Sequence, residues 1–171
     1  MVEKAPYKVI KKIDKIEIRN YPKMILVSVK DFHDNDAFNL LFNYISGNNT
    51  SQSKISMTAP VITSEKIPMT APVFSQKNSM AFVMPSSYTE STIPKPKNKD
   101  VKIEIKPKKK VAVLRFSGHT SDNKTDKRIA ELLSALKDNK IKTKGEPFLM
   151  RYNSPFAPGF IRRNEVAIEI F

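Results

Sequence analysis

Residues 54–75 read KISMTAPVITSEKIPMTAPVFS, and the stretch repeats itself. Lys54-Ile-Ser-Met-Thr-Ala-Pro-Val returns as Lys66-Ile-Pro-Met-Thr-Ala-Pro-Val after 66 − 54 = 12 positions. Both copies alternate. Ile55, Met57, Ala59 and Val61 share one face of an extended strand, and Ile67, Met69, Ala71 and Val73 share the matching face of the second copy. Thr63 to Lys66 can turn the chain, so the simplest reading is a hairpin. Each Ala-Pro step holds the alanine extended and removes a ladder donor. Proline in both arms points to an edge or rim hairpin whose apolar face looks into something.

Outward from this hairpin, elements recur in order. Tyr7 to Tyr21 is strand-like, with Ile16 and Ile18 alternating against Glu17 and Arg19, and Asn20 to Lys23 suits a turn. Met24 to Val29 forms a second strand. Asp34, Asn35 or Asp36 caps a helix whose stripe is Phe38, Leu41, Phe42 and Ile45, with Gly47 just past its end. Asn48 to Ser53 is a polar linker, and Met80 to Met84 is another apolar strand. Ser86 to Asn98, rich in Ser, Thr, Pro and Lys, connects to a second series. Ile103-Glu-Ile-Lys answers Ile16-Glu-Ile-Arg at 103 − 16 = 87, and Val111, Val113 and Phe116 answer Met24, Leu26 and Val29 at the same offset. The stripe Ile129, Leu132, Leu133, Leu136 answers the first helix at 129 − 38 = 91, the four extra residues being placed in the loop Ser121 to Lys124. Val166 to Ile170 answers Met80 to Met84 at 166 − 80 = 86. The expected fold is therefore α+β: one domain over 1–171, with duplicated ββαββ units at about 7–85 and 101–171 joined by the loop 86–100. Each unit buries one sheet face and one helix stripe, and a ligand site falls where the halves meet.

Composition excludes several chemistries. The chain has 171 residues, 40% of them hydrophobic, which is enough for one core. Cysteine is absent, so disulfides and thiolates are unavailable, in keeping with a cytoplasmic setting. No apolar run approaches a membrane span, and the N-terminus shows no secretory h-region. No nucleophile elbow, His-Glu-x-x-His or glycine-rich phosphate loop appears, so the expectation is a binding protein rather than an enzyme. The net charge is 30 − 17 = +13, which fits a nucleic acid or acidic surface as partner. Most of the cations are lysines, however. In the dense run Lys95 to Lys110, Val101, Ile103 and Ile105 alternate with Lys102, Glu104 and Lys106, which reads as a strand with a solvated charged outer face.

The repeated Met-Thr-Ala-Pro-Val and the tail Arg151-Tyr-Asn-Ser-Pro-Phe-Ala-Pro-Gly-Phe-Ile-Arg-Arg-Asn-Glu-Val resemble the SOUL haem-binding family, and the likeness runs from Tyr7 to Phe171. The resemblance implies a distorted antiparallel β-barrel flanked by two helices, built by duplication and similar to bacterial effector-binding domains. It implies non-covalent binding of haem or a related tetrapyrrole. Two positions depart from the pattern: Gly159, where the family often has a second proline, and Ala167, where it often has tryptophan.

Haem needs an apolar slot, groups for its propionates and, where ligated, an axial donor. Met57 and Met69 are candidates for the slot, and serve equally well as core packing. Met84 is a further candidate that reads more readily as core, as does Met150. Lys54 and Lys66 begin the two copies, as propionate partners or as ordinary surface lysines. Arg162 and Arg163 precede the last strand with Asn164 and Glu165. They read either as anion holders at a pocket mouth or as a surface ion pair. In that strand Glu165, Ala167 and Glu169 share one face, and Val166, Ile168 and Ile170 the other. The two histidines, His33 and His119, occupy equivalent loops before the helices and are the axial candidates, with Tyr21 and Tyr152 behind them. No spacing suits a zinc site. The function expected is a haem or tetrapyrrole carrier or buffer. The alternatives are a module for another amphipathic molecule and a basic nucleic-acid binder.

Overall fold

The computed structural model describes residues 2–51, 66–154 and 156–171. In chain order the strands and helices are β1 (Glu3–Lys4), β2 (Lys8–Ile13), β3 (Ile16–Tyr21), β4 (Met24–Lys30), α1 (Asp34–Ile45) and β5 (Asn49–Thr50). After the undescribed segment come β6 (Thr70–Ala71), β7 (Val73–Gln76), β8 (Ser79–Val83) and β9 (Lys95–Pro96). The chain ends with β10 (Lys102–Lys106), β11 (Lys109–Ser117), α2 (Asp122–Asp138), β12 (Thr143–Arg151), a short 3-10 helix (Gly159–Ile161) and β13 (Arg163–Ile170).

Nine strands form one antiparallel sheet in the order β10-β4-β8-β7-β12-β13-β11-β3-β2. The sheet curls into a half-barrel, and the fold is α+β. Exchanging β3 with β10, β4 with β11, β7 with β12 and β8 with β13 makes the eight strands from β10 to β3 read the same in reverse. The strand that opens each series pairs within the other: β10 lies on β4, and β3 lies on β11.

Both helices lie on one face of the sheet. Leu41, Tyr44 and Ile45 of α1 pack on Val27, Val29, Met80 and Phe82. Leu132 and Leu136 of α2 pack on Ala112, Leu114, Val166 and Ile168. Each fully buried aliphatic side chain of this kind stabilises by roughly 1.5–3 kcal/mol relative to exposure. The opposite, inner face carries a third cluster in which Leu26, Phe74, Val83, Val111, Val113, Met150 and Ala167 meet.

Several sequence expectations are corrected in detail. Residues 7–21 are not one strand, because Asp14 takes a left-handed φ of 51° and folds the segment back as the β2–β3 hairpin. Aspartate tolerates that conformation, and a two-residue turn without glycine leaves little trace in sequence. The α1 stripe is rotated: Ala37, Leu41, Tyr44 and Ile45 are buried, whereas Phe42 is exposed. Three of the four extra residues of the second series lengthen α2 and one its loop, since Ser121 is already the N-cap and its hydroxyl accepts from the Lys124 amide. The linker after α1 contains fully buried Asn49, whose amide donates to the Tyr44 carbonyl and whose strand β5 pairs with β9. Loop 86–100 thus docks on the body. The first copy of the repeat lies outside the described residues. In the second, Ile67, Met69 and Val73 face the α1 core as the alternation requires, but β6 pairs with β1 while β7 pairs with β8 and β12.

Candidate ligand-binding site

Strand alternation places a defined set of side chains on the inner face. From β13 come Glu165, Ala167 and Glu169, from β11 Lys109, Val111 and Val113, and from β3 Glu17, Arg19 and Tyr21. Toward the β10 side, Leu26, Phe74, Ala81 and Phe148 line an open cleft of about 290 Å³. Glu104 of β10 lines the same cleft as Glu169 of β13 and Lys109 of β11, five and six strands along the order, which is the direct result of the curl.

The cleft has an aromatic floor and a cationic rim. The Phe74 and Phe148 rings sit 5.6 Å apart, and the Lys109 ammonium lies 4.9 Å from the Phe148 centroid and 6.0 Å from that of Phe74. Burial lowers the Lys109 pKa, with the Lys106 charge adding to the effect and Glu169 opposing it. Lys30 and Lys106 approach Glu104, and Lys144 lies 3.4 Å from Glu169. These are solvent-screened pairs that a competing carboxylate can open at small cost. Glu104 also accepts from the Ser28 hydroxyl, and its carboxyl is held below the usual range: burial alone would raise it, but Lys106, Ser28 and Lys30 together outweigh that. The register slip between Lys144 and Phe148 forms the cleft mouth, where Gly145 adopts a φ of 71° that few side-chain-bearing residues accept. Glu104 and Lys106 therefore do not form the outer solvated face expected from the alternation. As an edge strand on a curled sheet, β10 turns them into the cleft and leaves Ile105 exposed.

At the other end of the inner face the charges are paired and buried. Glu165 is 0% exposed and Arg19 is 2% exposed. Arg19 donates to both Glu165 oxygens at 2.7 and 3.0 Å, and Arg163 donates twice to one of them at 3.0 and 2.7 Å. The Arg19 guanidinium stacks 4.1 Å from the Tyr7 centroid and the Arg163 guanidinium 4.1 Å from that of Tyr152. Arg19 also donates to the Tyr21 hydroxyl, and Arg163 to that of Tyr7. Burial pushes the Tyr21 and Tyr152 phenols up. For Glu165, burial alone would raise the pKa, but the hydrogen bonds and charge of Arg19, then of Arg163, bring it below its ordinary value. This replaces the expected surface ion pair with a buried network.

The residues singled out from sequence are dispersed. Met69 and Met84 pack in the α1 core, on the helix side of the sheet. Lys54 and Met57 lie outside the described residues, and Lys66 is exposed. Arg163 belongs to the buried network. Arg162 donates to the Ala157 carbonyl at 2.7 Å and lies 3.2 Å from the His119 imidazole. His33 precedes α1 and makes no capping bond, and both histidines are exposed. A side chain at Gly159 would begin 2.7 Å from the His119 ring, so glycine suits this position with that histidine beside it. Neither histidine lines the cleft. Lys109, Phe74 and Phe148 were not singled out. The available signal was that Lys109, Val111 and Val113 share one strand face, so a lysine stands at the end of an apolar row.

The cleft residues fit a flat apolar ring system bearing carboxylates, with phenyl rings below and ammonium groups at the edge. Among the described residues no group of three or more His, Asp or Glu gathers to hold a metal ion, and no helix is long and apolar enough to cross a membrane.

The curled sheet with two helices on one face is the architecture of effector-binding domains. The chain superposes on the C-terminal domain of EcmrR with a TM-score of 0.55 at 12% identity, covering 96% of this chain and 98% of that one. A structure described as a hydrolase from Listeria innocua gives 0.58 at 13% identity, with 92% of each chain covered. At such identities the likeness shows the fold alone. The sequence is more specific: residues 2–169 match the model of the SOUL heme-binding protein family, and the chain belongs to that family. It is similar to heme-binding protein 2 of Homo sapiens, 32% identical over 146 residues that cover 81% of this chain and 70% of the human protein. The Mus musculus heme-binding protein 2 is 28% identical over 180 residues, covering 97% of this chain and 87% of that protein.

Proposed function

We propose that this protein binds haem or a related tetrapyrrole non-covalently in the inner-face cleft, as a carrier or buffer in the cytoplasm, without turning it over. The supporting observation is the pairing of the Phe74–Phe148 floor with a rim of four lysines, Lys30, Lys106, Lys109 and Lys144, against three glutamates. The aromatic floor supplies apolar contact to a macrocycle, and the excess of ammonium groups suits propionates. Both histidines lie away from the cleft lining, which favours binding without histidine ligation. The chain is read as one domain of two repeats, 7–85 and 101–171. The reversed strand order supports that reading, and the cleft takes residues from both repeats.

The test is a haemin titration followed by Soret absorption on the wild type, Phe148→Ala and Lys109→Ala. Protoporphyrin IX serves as a metal-free competitor. Weakened binding in both variants, with protoporphyrin competing well, supports the cleft and a minor role for iron. Unchanged affinity in both variants moves the site elsewhere. A second reading has its own support. The cleft volume sits at the lower end for ligand pockets, about 300 Å³, which suits a smaller amphipathic acid. Displacement of anilinonaphthalene sulfonate by small aromatic acids but not by haemin would select that reading.

A further inference from the structure

The connection from β12 to β13 holds three large apolar side chains in solvent. Phe156 is 94% exposed, Phe160 83% and Ile161 54%. This exposure belongs to a tied loop. The Ala157 amide donates to the Ser154 carbonyl, Ile161 to Pro158, and the Arg162 side chain to Ala157 at 2.7 Å. Gly159 lies against His119. The rings are thus held out by the fold of the loop, and solitary exposed hydrophobics would need no such support.

The surroundings are basic. Residues 151–163 contain Arg151, Arg162 and Arg163 and no acidic side chain; Arg151 lies 3.4 Å from Asp34 and Arg163 is held by Glu165, while Arg162 lies within the loop itself. On β11, Arg115 is exposed two positions from Ser117, which pairs with Arg163, and the Lys124 ammonium donates to the Ser117 carbonyl. The chain as a whole carries +13.

We propose that this loop is a docking finger for an anionic lipid surface: Phe156, Phe160 and Ile161 enter the headgroup region, and Arg115, Arg162 and Lys124 beside them meet lipid phosphates. Three side chains on a projecting loop fall well short of the roughly 800 Å² per partner of a stable protein interface. A bilayer demands no matching shape. It needs apolar anchors at headgroup depth and cations beside them, which is what this loop presents.

The test is flotation with vesicles of phosphatidylcholine alone and of phosphatidylcholine with phosphatidylserine. Wild type is expected to float with the anionic vesicles, and Phe156→Ala/Phe160→Ala to bind them at least about tenfold more weakly, from the apolar area removed. The melting temperature and haemin affinity of the double variant should match wild type, because the two rings touch solvent and the cleft lies at the far end of β13. Wild type that stays with neither vesicle overturns the proposal. So does a double variant that floats equally well, since net charge alone would then explain binding. A wild type that self-associates in ultracentrifugation while the double variant stays monomeric also overturns it, by making the finger a contact between copies.

Discussion

The two ends of the inner face carry similar residue types in opposite states. Around Glu165, two arginines satisfy one buried carboxylate, three tyrosines pack on or accept from those arginines, and the charges answer one another inside the protein. Around the cleft, among the described residues, four lysines meet three glutamates in half-exposed pairs, and Lys109 itself rests on aromatic rings without a carboxylate in hydrogen-bond reach. Buried charges with every partner internal hold an architecture together. Half-compensated charges beside an apolar floor are available to something else. On this view a basic residue's identity matters less than whether the fold supplies its counter-ion.

The largest effect should come from breaking the closed end. Glu165→Ala leaves Arg19 buried without its main partner, at a cost of about 3–5 kcal/mol. For a domain of this size the melting temperature should fall on the order of 10 °C in a thermal scan. A fall of a degree or two would mean that the network is not structural. The same network sets an acid limit. Because folding lowers the Glu165 pKa, its contribution is present above the unfolded value of about 4.5 and is lost as pH falls through the folded value. Glu165→Gln should flatten the decline in urea-derived stability below that pH.

Next in size is Met84→Ala, which opens a cavity in the α1 core and should cost about 2–5 kcal/mol without altering haemin affinity per folded molecule. Reduced affinity with intact stability would move the binding site to the helix side of the sheet. Opening the other end should do the reverse. Lys106→Glu with Lys109→Ala should weaken haemin about tenfold, near 1.4 kcal/mol, and leave the melting curve nearly unmoved. Since burial lowers the Lys109 pKa below 10.5, affinity for a carboxylate ligand should decline with rising pH before that value is reached. Lys109→Arg should remove this decline, because guanidinium keeps its proton. Smallest of all, His33→Ala and His119→Ala should leave the Soret position and affinity close to wild type. A lost Soret shift in either variant would make histidine ligation the anchor.

Much of the architecture was legible because periodicity reports burial directly. Ile129 to Leu136 and Val166 to Ile170 each show which face is covered, and both faces are covered as the pattern requires. The site was less legible, because the curl of the sheet decides which strand ends converge. Glu104 and Lys106 alternate like any solvated edge, and only closure of the half-barrel brings them over Phe74 and Phe148. Glu165 shows the converse: its neighbours Arg163 and Asn164 read as a polar surface segment, while the partner that makes it buried, Arg19, lies 146 positions away. The repeat drew attention to methionines, yet Met69 and Met84 face a helix, since alternation alone does not distinguish the two sides of a sheet.

The exchanged opening strands also bear on how the molecule is made. With β3 lying on β11 and β10 on β4, a chain ending near residue 95 would present β4 without its outer neighbour, and the remainder would leave β11 equally bare. Neither fragment has a complete sheet to close, so each should stay soluble only in the presence of the other, and the two mixed together should reassemble. During synthesis the first series must wait, its β4 edge open, until residues beyond 102 emerge. Assembly is therefore governed by contacts distant along the chain and should be slow for a domain of this length.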